Sequence, residues 1–216
     1  MSRTIKINRT ELTTGASIDI VKAASREDII AQTEALAADP AVTAIEWRGD
    51  EYDDIFEITF REVPSAMQAV REAAKEKPLM FSFRDAVIGG RHPAKYMYIA
   101  RLAVQAAKLG VDLISAPLLP YEDATRSILF ETANYNRISV LTWIYPDRMP
   151  EKDELLKKLE EMNGFGADLM ELGALTRGEE EERTFQDILE SYAREHDAAI
   201  LMSVLSGDGT ERKVIL

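Results

Sequence analysis

The chain has 216 residues, of which 46% are hydrophobic and 30% charged, enough for one large domain with a real core. It contains no cysteine, which excludes thiolate catalysis, cysteine-ligated zinc and iron–sulfur clusters, and fits a reducing, cytoplasmic compartment. Its 26 Lys and Arg against 38 Asp and Glu give a net charge of −12 with no dense basic cluster, so no nucleic-acid partner is expected.

No apolar run approaches the roughly 18–20 residues that span a bilayer. Met1 to Arg9 is polar and alternating, without the apolar stretch of a signal peptide. The expectation is a soluble protein with no membrane partner.

Taken in chain order, short apolar runs alternate with longer amphipathic segments. A β segment at residues 3–8 comes first, and Ser17 to Lys22 then reads as the first strand of the main pattern. Arg26 to Ala38 reads as a helix with Ser25 as its N-cap, Val42 to Arg48 as a strand, and Pro64 to Glu76 as a helix with its proline in the first turn. Pro78 to Arg84 is a strand, and Pro93 to Leu109 a helix stopped by Gly110. Strands follow at Val111 to Ser115, Ile138 to Ile144, Ala167 to Leu172 and Ala198 to Val204. Helices at Tyr121 to Tyr135, Pro150 to Asn163 and Glu179 to His196 separate them. Connections are short and composition never breaks, so residues 1–216 form a single domain.

Two architectures accept βα alternation: an open doubly wound sheet and a (β/α)8 barrel. A doubly wound nucleotide binder carries glycines in the turn after its first strand, and here that turn reads Lys22-Ala23-Ala24-Ser25. A TIM-barrel-like fold fits better, although such barrels usually take about 250 residues. The tail Gly207 to Leu216 offers a turn and a short apolar strand, Lys213 to Leu216, at most. The barrel is therefore expected to be incomplete or irregular at its C-terminal end, with a second subunit of a homodimer covering any gap.

Active groups of a barrel lie at the C-terminal ends of its strands. Those ends carry Lys22 and Ala23, then Glu46 and Arg48, Arg84, Ser115, Trp143 and Ile144, Glu171, and Ser203. Arg48 and Arg84, both ending apolar strands, read either as a clamp for a small carboxylate-bearing ligand or as structural partners of Glu46 and Glu171. His92 follows Gly89-Gly90-Arg91 at the rim and is a candidate for substrate contact or plain solvation. His196 and the acidic run Glu179 to Glu182 suit helix ends. No metal, nucleotide or other cofactor motif is present.

Ile45-Glu46-Trp47-Arg48 with Asp50, then Lys77-Pro78-Leu79-Met80-Phe81-Ser82-Phe83-Arg84 and Gly89-Gly90, resemble the type I 3-dehydroquinate dehydratases. The resemblance continues through Glu154 to Asp168 and on to Met202-Ser203. It implies a (β/α)8 barrel of the shikimate pathway that removes water from 3-dehydroquinate without a cofactor. A family lysine forms an imine with the substrate ketone, a histidine moves the neighbouring proton and a glutamate orients that histidine. By this resemblance Glu46, Arg48 and Arg84 are substrate-binding residues, with His92, Glu171, Ser203 and Arg212 as possible additions.

The reacting positions depart from the pattern. Ile144 stands at the histidine, Glu171 at the imine lysine and Ile88 at the orienting glutamate. Lys22 and Lys95 are not placed by sequence to substitute. Glu171, if buried alone among strand ends, would have a raised pKa and could serve as an acid or base. The sequence thus leads to a pseudoenzyme that at most binds a small carboxylate through two arginines. The alternative is an active lyase or isomerase using non-standard residues such as Glu171 and His92.

Overall fold

The computed structural model describes residues 4–7, 10–56, 62–118 and 138–216. The helix expected at Tyr121 to Tyr135 lies outside them. A hairpin of β1 (Thr4–Ile7) and β2 (Thr10–Thr13) comes first, where one β segment was expected. The order then runs β3 (Ile18–Val21), α1 (Arg26–Ala38), β4 (Ala44–Arg48), α2 (Glu62–Ala74), β5 (Leu79–Ser82), α3 (Tyr96–Lys108), β6 (Leu113–Pro117) and β7 (Ile138–Tyr145). After these come α4 (Lys152–Asn163), β8 (Leu169–Thr176), α5 (Glu179–His196), β9 (Ile200–Ser206) and β10 (Glu211–Ile215). Among the described residues no helix is long and apolar enough to cross a membrane.

Strands β3 to β9 lie side by side in sequence order and all parallel, as successive βα units require. The eighth stave, β10, runs antiparallel to β9. Only residues 207–210 separate them, too short a link for a parallel crossover, so a hairpin is the one geometry available. At its far end β10 meets the chain leading into β3 through a Ser17–Val214 bridge, and the Ile215 amide donates to the Ala16 carbonyl at 3.0 Å. The wall is irregular at the C-terminal end, as expected, but the chain fills the eighth place itself. The short apolar strand expected at Lys213 to Leu216 is a longer one that begins at Glu211 and turns two charged side chains inward.

Local signals act where the sequence put them. The Ser25 hydroxyl accepts from the Asp28 amide and caps α1. Gly110, at φ +81°, ends α3 in the left-handed conformation that glycine adopts most cheaply.

The interior is layered. At the bottom, Ile18, Ala44, Met80, Leu113, Val140, Leu169, Leu201 and Ile215 pack together, sealed by Ile5 and Leu12 of the hairpin. The outward faces of the strands pack on the helices in two further apolar clusters, one around Trp47, Phe81 and Met67, the other around Leu172, Phe185 and Leu155. Burial of these side chains supplies about 1.5–3 kcal/mol each before entropy is charged. Above the apolar floor the barrel interior turns polar, and the candidate site begins there.

Candidate functional site

Period-two alternation along each strand fixes which side chains share the interior. Ala44, Glu46 and Arg48 of β4 face one way; Leu169, Glu171 and Gly173 of β8 likewise; Glu211, Lys213 and Ile215 of β10 likewise. One step above the floor, Glu46, Ser82, Ser115, Thr142, Glu171, Ser203 and Lys213 form a buried polar layer. Arg48, Arg84 and Glu211 lie above it.

Lys213 is the centre of this layer. Its ammonium pairs with Glu46 Oε2 and, at 2.6 Å, with Glu171 Oε1, and all three side chains are fully buried. The Ser82 hydroxyl donates to the other Glu46 oxygen. The Thr142 hydroxyl donates to Glu171 Oε2 at 2.7 Å. A buried ion pair is tolerable only when its remaining lone pairs are met, and here a hydroxyl meets the second oxygen of each carboxylate.

The arginines form the upper tier. Asp50 takes Arg48 bidentately, from Nε at 2.9 Å and Nη2 at 2.7 Å, and also accepts from the Arg84 amide at 3.1 Å. Arg84 Nη2 donates to Glu171 Oε1 at 3.0 Å and to Glu211 Oε1. The second Glu211 oxygen accepts from Lys22 Nζ at 2.7 Å and Arg48 Nη1 at 3.3 Å. Four cations, Lys22, Arg48, Arg84 and Lys213, thus meet four carboxylates, Glu46, Asp50, Glu171 and Glu211.

These pairings decide the protonation states. Burial alone would push the Glu171 carboxyl up, but Lys213 and Arg84 reverse that and hold it below the usual carboxylate range. The raised pKa expected for a lone buried Glu171 is therefore corrected: the group is buried but not alone. At Glu211 burial also works upward, and Arg84, Lys213, Arg48 and Lys22 together hold the carboxyl well below its ordinary value. Asp50 shifts the same way, with Arg48 overcoming its burial.

Ile88 and Ile144 are buried and have no polar group to offer this network. They join Ala100 in a small buried apolar cluster. Gly173 makes room for it, since a Cβ there would collide with the Ile144 side chain and stand 3.0 Å from Ser203 Cβ. Gly90 has a comparable reason: a Cβ would run into the Arg84 carbonyl, so the glycine pair lets its loop close over that arginine.

Of the residues singled out in the sequence, Lys22, Glu46, Arg48, Arg84, Ser115, Glu171 and Ser203 are brought together, the Ser203 hydroxyl donating to Glu211 at 2.9 Å. His92 is not: it is half-buried at the rim with its ring edge-on to Phe56. Arg212 is exposed on the outer face of β10 and pairs with Glu182 of α5. Lys213, Glu211 and Asp50 belong to the network and had no role assigned from sequence. The one available signal was the alternation Glu211, Lys213, Ile215 after a glycine-rich turn.

A cavity of about 360 Å³ opens above the upper tier, lined by Lys22, Arg48, Arg84, Ser206 and Glu211 among others. A wider groove of about 790 Å³ lies outside the wall between α5 and the end of β10, away from the buried charges.

The model of the type I 3-dehydroquinase family matches residues 20–209. The chain is similar to a 3-dehydroquinate dehydratase of Listeria welshimeri, 28% identical over 167 residues, which is 76% of this chain and 65% of that protein. A 3-dehydroquinate dehydratase of Escherichia coli is 27% identical over 177 residues, 80% of this chain and 69% of that one. In fold, the chain is similar to a type I 3-dehydroquinate dehydratase of Clostridium difficile, with a TM-score of 0.81 and 23% identity over 97% of this chain and 83% of that one. The matched stretch thus spans just under two thirds of the Listeria protein's length.

Proposed function

Since the chain belongs to the type I 3-dehydroquinase family, we propose that it is a member in which dehydration of 3-dehydroquinate is lost and the barrel mouth binds a small carboxylate. One observation carries the reading: Lys213, the one fully buried lysine among the described residues, is clamped between Glu46 and Glu171. Imine formation needs an amine with a free lone pair, and an ammonium held by two carboxylates has none to give. The proton at the neighbouring carbon then needs a base within about 3 Å, and by the family resemblance Ile144 and Ile88, buried together with Ala100, stand at the positions of the histidine and its orienting glutamate. Loss of such groups removes several powers of ten in rate.

Carboxylate binding draws support from Arg48 and Arg84, whose guanidinium groups converge on one carboxylate and line the mouth cavity. The dehydration claim is tested by incubating the purified chain with 3-dehydroquinate and following the conjugated product by absorbance. We expect no product above the enzyme-free rate. Steady turnover that disappears in Lys213→Met would contradict the reading.

A second reading has its own observation. Lys213 Nζ stands 3.9 Å from the Glu211 oxygen that Arg84 holds. A ketone bound in place of that carboxylate would lie near an amine delivered from β10 instead of β8, with Glu46 and Glu171 as acid and base. The same variant separates the two readings.

A further inference from the structure

We infer that Glu211 is a built-in occupant of the carboxylate seat: the chain fills its own anion site, and an external small carboxylate binds by replacing this side chain. The inference rests on the reading of the mouth as a carboxylate site and goes beyond it by naming what holds the site shut.

Each Glu211 oxygen is saturated as a bound ligand's would be. Arg84 and the Ser203 hydroxyl donate to Oε1, while Lys22 and Arg48 donate to Oε2. The donors come from β4, β9 and the segments after β3 and β5, so they converge from around the barrel on a single point. The acceptor comes from the first residue of β10, and its side chain is only 3% exposed. Among the described residues Arg84 Nε is buried without a hydrogen-bond partner, so this guanidinium still has a donor to give.

Charge explains why the site as it stands has little attraction for an anion. With Glu211 in place, four cations already meet four buried carboxylates, and Glu51 stands 3.9 Å from Arg48 at the rim, so a further carboxylate would find no unpaired positive charge. With Glu211 withdrawn, an incoming carboxylate restores the balance that its departure removed. The route of withdrawal is also visible. Glu211 directly follows the exposed turn at residues 207–210, which also lines the mouth cavity. That turn is closed by few bonds: the Ser206 amide to the Thr210 carbonyl at 2.9 Å, the Gly209 amide to the Ser206 carbonyl at 3.0 Å, and the Thr210 amide to Asp208 at 2.9 Å. Below it β10 is anchored by Lys213 and Ile215, so the first residue of the strand can give way while the rest stays paired.

The test is a thermal melt of the full chain in sodium acetate against sodium chloride at equal ionic strength. Glu211→Ala opens a hole the size of the probe. We expect this variant to melt below the wild type and to regain several degrees in tens of millimolar acetate, while the wild type shifts by less than about a degree. Adding Arg84→Met to Glu211→Ala should abolish the response to acetate. A Glu211→Ala protein that melts alike in acetate and chloride overturns the inference. An equal, Arg84-dependent response in wild type and variant keeps the carboxylate-binding reading and removes the built-in occupant.

Should Glu211→Ala fail to fold, amide hydrogen exchange on the wild type decides. At saturating quinate, exchange at Ser206 and Glu211 should speed up at least about tenfold as the turn gives way. Binding without faster exchange rejects the inference alone. No binding at all rejects the carboxylate-site reading together with it.

Discussion

The two sides of the barrel mouth make an instructive pair. On β4 and just beyond β5, Glu46, Arg48 and Arg84 are buried, and each side chain is held by hydrogen bonds inside the barrel mouth. On β7, β8 and β10 the neighbours differ in kind: Ile144 shares an apolar cluster with Ile88, while Glu171 on β8 pairs with the Lys213 ammonium on β10. The interior keeps a balanced set of charges all the same. The difference teaches that charge balance and reactivity are separate constraints: the first asks only that every buried ion be paired, and the second that one of them be left unpaired at the right atom.

Acid should break the balance most completely. The carboxyls of Glu171, Glu211 and Asp50 are all held below their ordinary values in the fold. Their contribution to stability is therefore present above the unfolded-state pKa of about 4 and is lost as pH falls through the lower folded values. Denaturant midpoints measured from pH 7 downwards should hold steady to about pH 5 and then fall steeply. A flat profile to pH 3 would mean the network is not coupled to folding.

Removing the central cation comes next. Lys213→Met leaves Glu46 and Glu171 buried without their shared partner and should cost about 3–5 kcal/mol in urea unfolding. A cost under about 1 kcal/mol would show that the polar layer is hydrated rather than closed. On the apolar side the stakes are smaller. Ile144→Val trims one methylene from the cluster with Ile88 and should cost about 1 kcal/mol; a gain in stability would mean that the isoleucine is overpacked against Gly173. Smallest of all is Arg212→Ala. It removes an exposed pair with Glu182 and should change stability by no more than about 0.5 kcal/mol. A larger loss would assign the outer face of β10 a weight that its exposure does not suggest.

The architecture was legible because apolar runs and amphipathic helices alternate with physical periods. The bounds of α1 and α5 match their sequence-derived spans residue for residue, and every strand from β3 to β9 lies within two to four residues of its expected place. The inward placement of Glu46, Arg48, Arg84 and Glu171 was legible for the same reason. The eighth stave was not, because its inward residues are Glu211 and Lys213 and a pattern that reads apolar as inward reads them as surface. What turns them inward is the carboxylates and guanidiniums of distant strands, a tertiary fact with no local trace. The state of Glu171 was misread on the same account, since its partner Lys213 lies 42 positions away on that strand.

If dehydration is lost as proposed, Lys213 is a buried amine that does no imine chemistry. Mass spectrometry of the intact chain after incubation with 3-dehydroquinate and borohydride tests it most directly, because reduction would fix any imine as a stable added mass. The expected result is an unmodified chain, the same as without substrate. A substrate-dependent adduct mapping to Lys213 would contradict it.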